Sequence, residues 1–481
     1  AARVARVTDL VGADAASVRA HMSHLFAPDP AERWAEETLM GHSHLSSLAM
    51  EAVDVAVNEG VVQTQSESAG SHASVYEWVP WERALMGWGR SGSLIIYVAG
   101  SALLAMLAAV VTRAYPAARG SGIPELKASV AGFAIPVSFC SQTLAAKVVA
   151  LSLCVGAGLA VGKEGPMIHI GACWAVFLSG PISRLTKLSG TPVAEAELLC
   201  VGAAAGVSAA FGAPLAGVLF AVEELGTTMP TGLRYSTMLC AFSSAVVAAL
   251  ALKWLDLTRT QRLTLFEIDY KQAWAPWEAL PFCLLGVIGG IAGAAFIIAN
   301  EAVHRRRLAA EADGRLTWWL PVSADRALKR LLRMPACVDG RVLEVVLLAI
   351  FTGISNYPHM LTRMLQNDAI KELFDQCPEG GAAHLEDPVG LCGTEDIVAF
   401  LSLQRLLLSA AVLRFLQTTV TIGALSPAGL FVPSLYMGGC MGRAVGGMLR
   451  YAGLLGAAGA VEPGIYAMVG AGAMLAGVSR L

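Results

Sequence analysis

The sequence predicts an all-α, polytopic membrane protein, and three observations carry that expectation. Of 481 residues, 55% are hydrophobic and only 15% charged, against about 25% charged in an ordinary soluble domain. Charge is also unevenly spread: Ser93 to Pro116 holds one basic residue and Met238 to Leu252 holds none. Finally, the apolar stretches approach the roughly 20 residues that a helix needs to cross the hydrocarbon. The net charge of −3 gives no reason to expect a nucleic-acid partner.

Residues 1–90 are polar and mixed in charge, without a basic segment leading into an apolar core, so they read as a cytosolic N-terminal region rather than a signal peptide. Apolar segments then follow near 93–116, 143–162, 197–222, 238–252, 279–300, 341–357, 397–420, 428–449 and 464–478. Between them, His304 to Arg333 carries HRRR and DRALKRLLR, a basic excess that places this loop in the cytosol. The loop from Pro358 to Asp396 is acidic and holds Cys377 and Cys392. It is expected on the opposite face, where a disulfide between those two cysteines is one option. Most other cysteines sit in apolar segments and read as small core residues.

Four of the apolar stretches are broken by glycine and proline: GSGIPE (120–125), GKEGP (162–166), FGAP (211–214) and SPAGLFVP (426–433). In lipid, non-helical backbone persists only where it is buried in protein or lines an aqueous cavity. Such breaks leave helix N-termini aimed at a ligand, and proline fits the first turn, where an N–H is not needed. A helix N-terminus offers free N–H groups and about half a positive charge, hence a seat for an anion. Ser121 adds a hydroxyl donor. No lysine or arginine is required, and a buried full charge would hold a transported ion too tightly. GAAAG (202–206), GGIAG (289–293) and GGCMG (438–442) are instead small-residue patterns that suit close helix packing. GKEGP is not a phosphate loop, because Ala157 stands where its first glycine belongs and Glu164 follows the lysine.

A charged side chain at the bilayer centre costs about 2.5–3.5 kcal/mol on insertion scales, so intramembrane carboxylates are candidates for function. Glu164 adjoins helix N-terminal amides that welcome a carboxylate as they welcome an anion. It can compete with the ion when ionised and withdraw when protonated. Glu223 and Glu224 end the run GVSAAFGAPLAGVLFAVEE. Neighbours on a helix point about 100° apart, so at most one of the pair faces a pathway while the other pairs or caps, and two carboxylates at a membrane–water boundary are the alternative. No His-Glu-x-x-His or Gly-x-Ser-x-Gly motif supports an intramembrane enzyme, and no metal site or cofactor is expected.

GSGIPE, GKEGP, FGAPLAGVLFAVEE and GLFVP, in this order, resemble the CLC family of chloride channels and chloride/proton exchangers, and PGIYAMVGAGAMLAGVSR resembles its next block. The resemblance spans roughly residues 80–481. It implies two inverted-topology halves of broken, tilted helices, set here at 91–270 and 271–481. It also implies a homodimer with one ion path per subunit. Carried over by motif, Ser121, Gly122 and Ile123 become anion-binding, with Gly165 at the helix start and the Leu430 and Phe431 amides opposite. Glu164 becomes the gate and Glu224 the internal proton group, which favours an exchanger over the alternative, a voltage- or pH-gated passive channel. Chloride, protons and membrane lipid are the implied partners. The family pattern continues past Leu481 with further helices, a pore tyrosine and a CBS pair, so no tyrosine is named as a ligand and nucleotide regulation is expected only with those domains.

Overall fold

The computed structural model describes residues 89–186, 192–230, 232–255, 270, 274–315, 318–319, 323, 325, 340–376, 391–392, 397–453 and 461–480. All lie in one compact unit, Ala84–Leu481. The N-terminal region up to residue 88 and Cys377 fall outside the described residues. Cys392 is disulfide-bonded, but the described residues do not include its partner.

The described residues form fourteen α-helices and no β-strand. In chain order they are α1 Gly89–Ala114, α2 Ile123–Val130, α3 Ser141–Gly156, α4 Glu164–Thr186, α5 Pro192–Phe211, α6 Pro214–Phe220 and α7 Tyr235–Leu255. These are followed by α8 Ala279–Ala312, α9 Gly340–Asn356, α10 Met360–Arg363, α11 Gln366–Phe374, α12 Ile397–Thr421, α13 Phe431–Ala452 and α14 Pro463–Ser479. Four segments are long and apolar enough to cross a bilayer unaided: Ser91–Ala114, Tyr235–Leu255, Pro276–Ala312 and Ile397–Thr421. Their outward faces carry large apolar side chains such as Ile95, Leu103, Val247, Leu280 and Val412, as lipid contact requires. The molecule is an integral, multi-pass membrane protein.

Two of the expected spans are interrupted. The stretch 143–162 stops as a helix at Gly156, and Gly158 turns the chain with φ +70. At about 1.5 Å per residue, α3 is shorter than the hydrocarbon is thick. The stretch 197–222 divides at Gly212 (φ +65) into α5 and α6, and Pro214 starts the second piece. Residues 221–225 continue α6 as a π-helical turn, a form that recurs at functional sites.

The small-residue patterns pack backbone against backbone. A Cβ added at Gly206 on α5 would stand 2.6 Å from Met167 O on α4, and one at Gly171 on α4 would stand 2.3 Å from Gly202 O. The same holds for Gly442 against Tyr466 O on α14 and for Gly293 on α8 against Gly477. These contacts fix α4 near its start, three residues beyond Glu164. Gly206→Val should therefore push α4 and α5 apart and destabilise the protein by about 2–3 kcal/mol, the cost of overpacking a close contact. Thermal unfolding in detergent reads this, and an unchanged midpoint would contradict it.

Candidate functional site

Three chain breaks meet inside the helix bundle. Gly162 and Gly429 form an isolated antiparallel bridge, with Gly162 N donating to Gly429 O at 2.8 Å and Gly429 N donating to Gly162 O at 3.0 Å. The bridge joins the GKEGP break, which opens α4, to the SPAGLFVP break, which opens α13. The third break is brought alongside, since a Cβ added at Gly165 would lie 3.0 Å from Ser121 Cβ and 3.7 Å from Ile123 Cδ1. The starts of α2, α4 and α13 thus converge although 310 residues of sequence separate Ser121 from Phe431.

Each start has its local cause. Gly122 caps α2 in the left-handed region at φ +82, and Pro124 occupies the first turn. Pro166 and Pro433 stand third in α4 and α13, where an N–H has no intrahelical acceptor anyway. In α13 the first helical bond runs from Ser434 N to Leu430 O at 3.1 Å, which leaves the amides of the preceding turn outside the helical ladder. Ser121 Oγ accepts from Ile123 N at 3.3 Å, so the serine hydroxyl and the Ile123 amide face each other. Ser121, Ile123, Leu430 and Phe431 are half-buried, with Gly122, Gly429 and Val432 beside them fully buried.

Glu164, the first residue of α4, is fully buried, and neither oxygen has a well-formed hydrogen bond. A Cβ added at Gly162 would lie 2.9 Å from Glu164 Oε2 and 3.2 Å from Val432 N. The carboxylate therefore stands between the N-termini of α4 and α13, in the place an anion would favour. A carboxylate snorkelling to the membrane surface is excluded.

The paired glutamates separate as helix geometry requires. Glu223 is exposed, and Glu224, in the π-helical turn, pairs with Lys127 of α2. The partner cation thus sits on the same short helix whose start carries Ser121. Two other groups near the site drew no attention in the sequence. Lys147 of α3 and His169 of α4 are both fully buried, with Lys147 Nζ 2.9 Å from His169 Nδ1. The His169 ring lies so close to Gly122 that an added Cβ would stand 2.3 Å from its Cγ. A lysine therefore does stand behind the serine loop, one imidazole ring away. The signal for it was a single lysine inside LAAKVVALSLCVGAGLAV.

Broken helices that meet end-on around a buried carboxylate, within a bundle that faces lipid, are an arrangement by which membrane proteins build sites near the bilayer midplane. A family model described as "Voltage gated chloride channel" matches residues 104–481, and the chain belongs to this family. The chain is 33% identical over 434 residues to H(+)/Cl(-) exchange transporter 3 of Homo sapiens, with 84% of this chain and 49% of that protein covered. It is 32% identical over 439 residues to H(+)/Cl(-) exchange transporter 5 of Rattus norvegicus, with the same shares covered. The chain spans about half the length of the curated relatives it matches. Among solved structures it is similar to one described as "Crystal Structure of a eukaryotic CLC transporter", with a TM-score of 0.56 and 24% identity, covering 83% of this chain and 60% of that one. The fold is that of the CLC family.

Proposed function

We propose that the protein exchanges chloride for protons across its membrane, with Glu164 as the gate and Glu224 as the internal proton relay. The observation that carries this is the position of Glu164: a fully buried carboxylate without a well-formed hydrogen bond, poised between two helix N-termini. A chloride ion stripped of water binds the amides of Leu430 and Phe431, the loop of Ser121, Gly122 and Ile123, and the helix start at Gly165. Glu164 occupies that seat when no anion does, and it leaves with a proton when displaced. Glu224, held by Lys127, passes the proton to the inner face. The names of the exchange transporters 3 and 5 support the same reading. No bound cofactor takes part in this scheme, and a homodimer with one path per subunit follows from the family resemblance.

The test is a paired flux measurement. In liposomes with a chloride gradient, exchange predicts uphill proton movement in fixed ratio to chloride. Chloride flux without proton movement would leave a passive channel of the same fold. Ser121→Pro should raise nitrate flux relative to chloride, because the hydroxyl that discriminates the smaller ion is gone. An unaltered ratio would remove Ser121 from the anion site.

A further inference from the structure

Three side chains grip the C-terminal end of α12, where the chain turns into the loop that carries Leu430 and Phe431. Arg307 of α8 donates from Nη1 to Ile422 O at 2.8 Å and from Nη2 to Val420 O. Asn300, two turns earlier on α8, donates to Thr419 O at 2.9 Å and to Ile422 O at 3.3 Å. Arg119 donates from Nε to Ala424 O at 3.2 Å and from Nη2 to Gly423 O. The last carbonyls of a helix have no intrahelical donors and carry partial negative charge. Two guanidinium forks answer that need better than water does.

The grip is itself supported. Arg307 Nε donates to Glu344 Oε1 of α9 at 2.6 Å, and both side chains are buried. Trp318 Nε1 donates to the same oxygen at 2.9 Å, and the Arg307 guanidinium lies 5.8 Å from the Trp318 ring centroid. Gly423 adopts φ +83, and a Cβ added there would come within 3.2 Å of Arg307 Nη1. Glycine meets both conditions without strain, whereas a side chain there would both strain the backbone and press on the guanidinium.

Arg119 stands two residues before Ser121, and Gly120 N donates to Ser426 O at 3.1 Å. Its fork therefore ties the serine loop directly to the run 422–430. The Gly162–Gly429 bridge ties the Glu164 break to that same run. One segment thus holds both partners of the proposed anion seat in register. Selectivity at such a seat depends on the number and spacing of its dipoles, and displacements well under an ångström matter where donors must converge.

We propose that Arg119 and Arg307 are positioning residues that clamp the end of α12, hold the Ser121 loop against the Leu430–Phe431 loop, and so set the anion preference of the path. The proposal rests on the reading that those two loops share an anion. It assigns neither arginine a contact with the ion.

The test is the nitrate-to-chloride flux ratio of the reconstituted protein, which a merely structural role leaves unchanged even where total flux falls. Arg119→Gln removes the fork, and Arg307→Lys keeps the charge without the fork. Both should raise the ratio about threefold or more, a fraction of what a whole charge-assisted hydrogen bond is worth, because neither arginine touches the ion. If Arg119→Gln does not yield folded protein, Arg119→Lys carries the same expectation. Variants that transport with the wild-type ratio overturn the clamp. The failures are separable through Ser121→Pro. If that variant shifts the ratio and the arginine variants do not, the clamp alone is wrong. If none of them shifts it, the shared anion seat is wrong as well.

Discussion

Replacing Glu164 by alanine is expected to abolish proton movement and leave a passive anion leak. The side chain occupies a position between the starts of α4 and α13, where main-chain amides of the helix start and the neighbouring Lys163 are the groups that favour its ionised form. Removing it takes away both the competitor for the anion seat and the one ionisable group at the break that is fully buried. Chloride should then bind more tightly and pass without gating. Folding should not suffer, since a buried carboxylate costs about 2.5–3.5 kcal/mol at mid-membrane and alanine costs nothing comparable. A chloride gradient across proteoliposomes, followed with a proton-sensitive dye, reads the result. A Glu164→Ala protein that still drives protons uphill would refute its assignment as gate and carrier.

The second large effect is expected at Glu224. Glu224→Gln preserves shape and hydrogen-bonding capacity but removes the titrating group, so proton flux should vanish while chloride flux continues. Stability should change little. Lys127 has 39% of its side chain exposed, and an ion pair with a solvated partner contributes only about 0–1 kcal/mol. Glu223→Gln is the control, because Glu223 faces outward and should leave coupling intact. Wild-type coupling in Glu224→Gln, or lost coupling in Glu223→Gln, would contradict the division of labour between the two.

What could be read from the sequence divides along a physical line. Glycine-proline breaks and a glutamate inside apolar sequence are local, costly features, so GSGIPE, GKEGP and SPAGLFVP marked the three breaks that meet in the bundle. The small-residue patterns at 202–206, 289–293 and 438–442 were readable for the same reason, because only close backbone approach calls for them. Helix length was less legible: 143–162 looks continuous in hydropathy but stops at Gly156, since the turn at Gly158 depends on a left-handed backbone conformation rather than on polarity. Long-range partners were not legible at all. Lys127 meets Glu224, Lys147 meets His169 and Arg119 meets Gly423 across chain separations of up to 304 residues. No periodicity reports such pairings. HRRR illustrates the limit, because a charge run that suggests a solvated cytosolic loop contains Arg307, which is buried against Glu344.

The most direct test of the central claim is a map of the halide itself. Crystals grown in bromide, measured at the bromine edge, should show an anomalous peak within hydrogen-bonding reach of Ser121 Oγ and the Phe431 amide, strengthened when Glu164 is replaced by glutamine. A bromide peak elsewhere, with none beside those groups in either protein, would contradict the account.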